Sequence, residues 1–583
     1  MKKKYVRWTL WTIASPFILF IILCILIYLP PIQNFLVDKA AVYASEATGM
    51  NISVGRISLS FPLNLVVTDV DAASPHNDTL LSVRRLQVNV QLLPLLKKQV
   101  EVDGISLQGA TVNSNDLIHG MKLNGTLGEL FISSHGVALD PETAIINKVL
   151  LKDTDLSLCL NDTAAADTVA SDTTYWKIIL QDIDLQNVSF ALDMPLDSLS
   201  LAASLDNAIL RDGLIDLHKS AYSLQTFRIE NGRVRYDSGK PLAADSLSSG
   251  LDPSHIALTD IGVKLDSLYY EGRNMKAIIS QFVLKERSGV EIVSATGRMV
   301  SNDKVLRVPS LKLETRDSYL ELNAAMDWNA LDFKDEGLVS ARLMADIGKP
   351  DVVRFMGSMD EKFIRQYPSE PLRIRTGIDG DLNKLKLTTL TAELPGALGL
   401  FARGELTHLT DNLLRGGDIT LEAETKDLKF VSTLAEGIEI PYGTRLEGKF
   451  TMAGTKMGTD LLLMQPEAQA VVAADTIPIT VYNDSISVAD DFKMERAARL
   501  FAKYDLSRDR YEADLAVNHF DLHQFMPADS LYTLSTRLKV EGEGFDFFSP
   551  RTYFNAEGGI DRFHYGSYHL TGSSVAAGLE KSK

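Results

Sequence analysis

The stretch HFDLH, near the C-terminal end of the chain, is the one cluster of residues whose types suggest metal binding. His519, Asp521 and His523 alternate with Phe520 and Leu522, so the three polar side chains would share one face of an extended strand. A zinc site needs such a trio and a fourth ligand. The alternative is a polar outer face opposite the two apolar side chains. We favour the polar face, and therefore expect no metal site and no cofactor.

Motifs of catalysis are missing from the sequence. It contains no phosphate-binding P-loop, no G-x-S-x-G nucleophile elbow, no H-E-x-x-H and no C-x-x-C. Asp490 and Asp491 have no evident partner and are typical of a solvated loop. Cys24 lies in an apolar run and Cys159 in a strand pattern, which argues against a disulfide between them. We therefore expect a protein that is not an enzyme.

Length and charge narrow the class of protein further. A chain of 583 residues is too long for a single compact core, so several domains or an elongated array are expected. The formal net charge of −17 argues against nucleic acid as a partner.

The N-terminus has the composition of a membrane anchor. An uncharged apolar stretch over residues 8–29 is long enough to cross a bilayer as a helix, and the basic residues that precede it are Lys2, Lys3, Lys4 and Arg7. This predicts a cytoplasmic N-terminus, with the bulk of the chain on the other side of the membrane. The alternative is a cleaved signal peptide, which has a shorter apolar region followed closely by small residues. Pro30 and Pro31 follow here instead, so we expect an uncleaved anchor.

Beyond a short predicted amphipathic helix over residues 32–49, most of the chain has a strand pattern. One phrase recurs four times, as DGISLQGATVNS, NKVLLKDTDLSL, QDIDLQNVSFAL and QTFRIENGRVRY. Each copy alternates apolar and polar residues and then changes parity. The changes fall at Gln108-Gly109, Lys152-Asp153, Gln186-Asn187 and Asn231-Gly232. A bulge or tight turn at these positions would keep the apolar residues on one face.

The copies are about 35–45 residues apart, a spacing typical of repeat architectures. An ordinary antiparallel β-sandwich is the alternative. Strand patterns also occupy LVSARLMADIG and GGDITLEAETKDLKF, and one helix is predicted from Val352 to Phe363, before Pro368. The apolar face of such strands must be covered, either by a second sheet or, if it lines a groove, by lipid chains.

Two long stretches resemble a known family. They are TGMNISVGRISLSFPLNLVVTDVDAAS, which contains Phe61-Pro62-Leu63, and DTLLSVRRLQVNVQLLPLLKKQVEVDGISLQGATVN, which contains Leu92–Leu96 and Ile105–Val112. With the preceding basic residues and apolar span, they are similar to the N-terminal portion of AsmA-like envelope proteins, most nearly the TamB type. The late stretch FDLHQFMPADSLYTLSTRLKVEGEGFDF also looks like a TamB-type repeat.

The resemblance implies a mainly β fold: an N-terminal transmembrane helix, then an elongated, repetitive antiparallel β-sheet curled into a taco-like apolar groove, with a few short helices. The implied domains are residues 1–30 (tail and anchor), 31–160 (AsmA-like β region with a capping helix), 161–175 (low-complexity loop) and 176–583 (β-groove). The groove candidates on the apolar sheet face are Ile183, Leu185, Phe190, Val339, Leu343 and Leu421.

The implied function is transport of phospholipids from the inner membrane through the periplasm toward the outer membrane, together with outer-membrane protein assembly and autotransporter secretion. The implied partners are phospholipids, the inner membrane and a TamA-like Omp85-family outer-membrane protein. TamB-type proteins are usually longer, so we expect the region that contacts such a partner to lie beyond this chain. Two alternatives are a periplasmic scaffold or chaperone-like β-sandwich without lipid transport, and an envelope-anchored enzyme or polysaccharide-binding protein.

Overall fold

The computed structural model describes part of the chain. The described residues are 39, 41, 42, 45 and 50–579, except 61–63, 75–78, 91–101, 115–119, 140–141, 162–174, 240–249, 335, 358, 436, 466–495, 547–548 and 550–551. The predicted anchor with its four basic residues lies outside them, as do Phe61-Pro62-Leu63, Leu92–Leu96, Asp490-Asp491 and most of the loop 161–175. Among the described residues, no helix is long and apolar enough to cross a membrane.

The chain is divided into two compact units, unit 1 (residues 1–297) and unit 2 (residues 298–583). Before the first strand, the described residues Lys39, Ala41, Val42 and Ser45 are helical, as predicted for this stretch. The strands of unit 1 are β1 (Asn51–Ser60), β2 (Asn64–Ala73), β3 (Thr79–Val90), β4 (Val102–Asn113), β5 (Met121–Leu139), β6 (Glu142–Leu160), β7 (Lys177–Met194), β8 (Leu199–Asp216), β9 (Ala221–Leu224), β10 (Thr226–Ser238), β11 (His255–Glu271) and β12 (Asn274–Glu286), and β13 (Glu291–Ser301) contains the boundary.

Strands of unit 1 pair in chain order. From β1 to β8 each strand pairs with the next; β9 and β10 together form one interrupted strand between β8 and β11, and β11 pairs with β12. All of these pairs are antiparallel except β6–β7, which is parallel, with Thr143 opposite Lys177. The sheet of unit 1 is thus antiparallel as expected, with the exception of this pair. A parallel neighbour requires a connection that returns to the starting end of the strand.

A line of left-handed residues crosses the sheet of unit 1. Six of the strands contribute a residue with positive φ to it: Asp69 in β2, Gly109 in β4, Asp153 in β6, Asn187 in β7, Asn231 in β10 and Asp260 in β11. We call this line the seam. From β2 to β10 the register of each strand pair is the same before and after the seam. Each seam residue therefore lies opposite another seam residue or opposite a residue of the strand between two of them. The four parity changes predicted from the sequence all lie on the seam, and each phrase is a continuous kinked strand rather than a hairpin.

Unit 2 is a simple antiparallel meander in which every strand from β14 to β27 pairs with the next one. Its strands are β14 (Val305–Thr315), β15 (Tyr319–Asp327), β16 (Leu338–Ile347), β17 (Leu372–Asp381), β18 (Lys384–Leu394), β19 (Leu398–Thr407), β20 (Gly416–Thr425), β21 (Arg445–Ala453), β22 (Lys456–Met464), β23 (Ala497–Asp505), β24 (Arg510–Asp521), β25 (Leu531–Glu543), β26 (Tyr553–Tyr565) and β27 (Tyr568–Leu579).

Short helices lie in the connections. They are α1 (Trp328–Leu331), α2 (Lys349–Met356) and α3 (Glu361–Gln366), with 3-10 turns at Pro195–Asp197, Lys429–Thr433 and Leu522–Gln524. The single helix predicted from Val352 to Phe363 is two helices, because Gly357 adopts a φ of 77°, which ends α2. Phe355 of α2 is 57% exposed.

The largest buried cluster of unit 2 lies at one end of its strands. Phe363 of α3, Tyr367 and Phe430 pack edge to face or tilted, with ring centroids 5.1–5.7 Å apart. Helix α2 is tied to the β14–β15 turn through the buried carboxylate of Asp351, which accepts a 2.6 Å hydrogen bond from Ser318 Oγ. These helices therefore cover the strand ends and leave most of the sheet face without a helix upon it.

Candidate functional site

Apolar side chains of unit 2 form one row that crosses all of its strands. Residues directly opposite each other in adjacent strands lie on the same face of a sheet. The register joins Leu343 of β16 to Leu421 of β20 through Thr376, Leu390 and Ala402. The whole row, which we call the leucine row, is Leu311, Leu322, Leu343, Thr376, Leu390, Ala402, Leu421, Gly448, Leu461, Leu500, Leu515, Leu538, Gly558 and Val575.

The leucine row is packed along its length but is not sealed. Its leucines are half-buried, and at its end Val575 is 43% exposed. Along β24 and β25, half-buried inward positions such as Leu515 and Leu538 alternate with exposed ones such as Glu512 and Lys539. Among the described residues of unit 2, only two side chains larger than alanine, Phe363 and Asp351, are less than 2% exposed. An interior covered by a second sheet would bury many more.

The opposite face of unit 2, which we call the outer face, is covered by cross-strand ion pairs. They include Arg375–Asp346, Arg373–Glu393, Lys384–Glu405, Arg445–Glu424, Lys449–Asp418, Arg499–Asp460 and Lys539–Glu512. On the same face, the Ser340 hydroxyl donates a 2.7 Å hydrogen bond to Asp379. That bond, followed by the smaller contribution of Arg342, lowers the pKa of the Asp379 carboxyl below its ordinary 3.8, against a desolvation effect that raises it. The two faces of the sheet thus differ sharply in polarity.

Unit 1 keeps a comparable apolar face on both sides of its seam. Ile183 lies opposite Val149 and Leu210, and Leu185 lies opposite Leu151 and Ala208. Beyond the seam, Phe190 continues the face opposite Leu156 and Ala203, and its side chain is 37% exposed.

Packing across the seam identifies the shared face directly. A Cβ placed on Gly232 would lie 3.2 Å from Ile229 Cγ2, although the two residues are three apart in the chain. Residues three apart point to opposite faces of a regular strand. The left-handed residue Asn231 between them shifts the alternation of side chains by one residue. Apolar residues on both sides of the seam in β10 therefore lie on one face.

Hollows lie along these strands in both units. In unit 2, a cavity of about 320 Å³ is lined almost wholly by apolar side chains, namely Leu515, Leu534, Thr536, Leu538, Gly558, Ile560, Phe563 and Val575. In unit 1, a cavity of about 420 Å³ has a mixed lining, in which Phe190, Ala203, Val234 and Leu258 lie beside charged residues such as Asp155, Arg233 and Arg235. An apolar hollow that opens from a half-exposed face can receive a hydrocarbon chain.

The three groove candidates of unit 2 differ in accessibility. Leu343 and Leu421 lie in the leucine row and are half-buried. Val339 is on the same face as Leu343, but is only 7% exposed because it packs in a cluster with Ala330 of α1 and Leu382. Val339 thus belongs to an end of the sheet that α1 covers. The period-two pattern of the strand did not predict this helix.

The HFDLH residues are not arranged as predicted. His519 has a φ of 45° and interrupts the alternation, and β24 ends at Asp521, whose carboxylate caps the 3-10 turn that contains His523. The described residues include no group of three or more His, Cys, Asp or Glu that could hold a metal. His523 instead begins a column of stacked rings that the sequence did not indicate: His523–Tyr532, Tyr532–His564 and His564–His569, with centroids 4.8, 4.6 and 4.0 Å apart.

Comparison with known proteins adds no assignment. No model of a known protein family matches the chain, and no curated protein is significantly similar to it.

Proposed function

We propose that this chain is a membrane-anchored envelope protein whose apolar sheet face forms a groove for the acyl chains of phospholipids. The observation that carries the proposal is the leucine row, which crosses fourteen strands without a charged residue. With strands about 4.8 Å apart, the thirteen steps from β14 to β27 span about 62 Å. A path of that length is much longer than a single acyl chain and suits a conduit rather than a pocket.

The energetics support a lipid occupant. Each methylene group moved from water onto the apolar face contributes about 0.8 kcal/mol. The half-exposed leucines are already spaced by the strand repeat, so a chain bound along the row needs no rearrangement of the sheet. The polar outer face meanwhile keeps the same strands compatible with water.

The proposal includes the wider arrangement implied by the resemblance described above. The apolar N-terminal stretch anchors the protein in the inner membrane, the sheet curls around its apolar face in the periplasm, and phospholipid moves toward the outer membrane. Work with a TamA-like Omp85-family protein in outer-membrane protein assembly or secretion is part of the same proposal. The parity of the strand patterns and the length of the row support the groove within this arrangement.

Site-specific photocrosslinking in the full chain tests the groove. A photoreactive phenylalanine analogue replaces Leu421 in one variant and the adjacent outer-face residue Glu422 in the other. We expect crosslinks to phospholipid from position 421 and few from position 422, since neighbouring strand residues point to opposite faces. Equal crosslinking from both positions would contradict a one-faced groove.

Lipid extraction and mass spectrometry of the purified full chain separate the two leading functions. Several phospholipids per chain support the conduit. A folded chain without lipid would instead favour a periplasmic scaffold or chaperone-like role.

A further inference from the structure

One region of the outer face of unit 2 concentrates positive charge. Lys456, Lys503, Arg508 and Arg510 line a single hollow of about 490 Å³ between β21 and β24. Among the described residues, Arg508 and Arg510 have no ion-pair partner, and Lys456, opposite Asp505, acts on that carboxyl only as a nearby charge. The chain carries a net charge of −17, whereas four cations gather around this one hollow.

The two acids that line the hollow already have partners. Asp505 accepts hydrogen bonds from Ser507 Oγ at 2.6 Å and from Thr455 Oγ1 at 3.1 Å. These hydrogen bonds lower the pKa of the Asp505 carboxyl, and the bond from Ser507 has the largest effect. The carboxylate therefore stays ionised and is already engaged in hydrogen bonds. Glu512 lies 3.8 Å from Lys539. Four cations therefore face two engaged carboxylates, and the lining has a net charge of +2.

Register explains why a hollow exists here. Thr451, Gly458, Lys503 and Glu512 lie in one outer-face row across β21 to β24. Gly458 places no side chain at the second position of that row. The next row contains Phe501, an aromatic ring that is 39% exposed, and Lys503 Nζ lies 4.9 Å from its centroid.

We infer that this hollow, the cationic pocket, binds the phosphate-bearing polar headgroup of an anionic amphiphile. Arginine and lysine side chains at its margin supply charge-assisted hydrogen bonds to phosphate oxygens. The Phe501 ring offers an apolar surface for the carbon skeleton of the headgroup. Lys456, Lys503 and Arg510 lie on the outer face by register, although Met457, Tyr504 and Tyr511 of the opposite face also line the hollow. Binding of a headgroup by these cations does not require the apolar groove to carry lipid.

Soluble headgroups test the site without involving acyl chains. Binding of glycerophosphoglycerol, which is anionic, to the detergent-purified full chain is measured by isothermal titration calorimetry, with zwitterionic glycerophosphocholine and inorganic phosphate as comparison probes. The variant Arg508→Gln/Arg510→Gln removes two cations of the pocket. The control Lys384→Gln removes an outer-face cation that is paired with Glu405 at 3.0 Å.

We expect the anionic headgroup to bind more tightly than the zwitterionic one, with an affinity that falls as salt is raised. The double variant should weaken binding roughly tenfold or more, and the control should leave it unchanged. Equal binding of both headgroups, or equal losses in both variants, would overturn the proposal. Inorganic phosphate that binds as tightly as the headgroup would also overturn it, in favour of a free-phosphate site.

Discussion

Asn187 Nδ2 donates a 2.9 Å hydrogen bond to Asp153 Oδ1 across the parallel strands β6 and β7. Both residues adopt the left-handed conformation, with φ of 52° and 50°. Asn and Asp tolerate this conformation better than other residues with side chains. The seam therefore joins two kinked strands at the same level, and the kinks keep Leu185 and Phe190 on one face.

The seam predicts a specific ranking of substitutions at position 187. Asn187→Val should destabilise unit 1 by roughly 1–3 kcal/mol more than Asn187→Gly, because a β-branched residue is strained at positive φ. Urea unfolding followed by circular dichroism measures the difference. Gln186→Val, at the preceding residue, is the control, and we expect little effect there. A valine at 187 that is tolerated as well as glycine would contradict the role of the seam.

The leucine row predicts that a charge within it displaces lipid. Leu343→Asp places a carboxylate on the apolar face, where an unpaired charge is strongly unfavourable, so the purified variant should contain fewer phospholipids per chain than the wild type. Met344→Asp introduces the same charge on the outer face of the same strand. Extraction and mass spectrometry measure the lipid content of both variants. An equal fall in both would mean that the assignment of faces is wrong.

The aromatic cluster at the strand ends predicts a large contrast between two phenylalanines in neighbouring helices. Phe363→Ala should cost about 3–5 kcal/mol, because Phe363 is 1% exposed and contacts two other rings. Phe355→Ala should cost well under about 1 kcal/mol, since that ring is 57% exposed. Chemical denaturation of both variants measures the contrast. Similar losses would mean that α2 packs through Phe355 after all.

The Asp379 carboxyl predicts a pH-dependent effect of Ser340. The pKa of Asp379 is lowered in the folded chain, so its contribution to stability is present above the ordinary value of 3.8 and disappears as the pH falls through the lowered pKa. Ser340→Ala removes the main cause of the shift. The variant should therefore be less stable than the wild type at neutral pH, and the difference should shrink in acid.

The difference in stability is measured from the unfolding midpoints of the wild type and Ser340→Ala, from neutral pH down to below the ordinary pKa of 3.8. Ser535→Ala, which removes a hydroxyl that accepts from the His519 backbone N–H, is the comparison. Its cost should not follow the titration of Asp379. A constant cost of Ser340→Ala at every pH would show that the hydroxyl does not act through the carboxyl.

Local sequence patterns determined much of this protein. Alternation with period two predicted the strands, and the changes of parity at Gly109, Asp153, Asn187 and Asn231 predicted kinks at residues that do adopt positive φ. These features depend on backbone preferences and on the phase of a single strand. They can be read without knowledge of the neighbouring strands, which is why they were predictable.

Tertiary pairing decided the rest. The membership of Leu343 and Leu421 in one row depends on the register of four successive strand pairs, and neither segment contains that register. The burial of Val339 beneath α1 and the parallel pairing of β6 with β7 depend on connections outside the strands themselves. The cationic pocket depends on Gly458 meeting residues more than forty positions away, so only the folded chain brings its charges together.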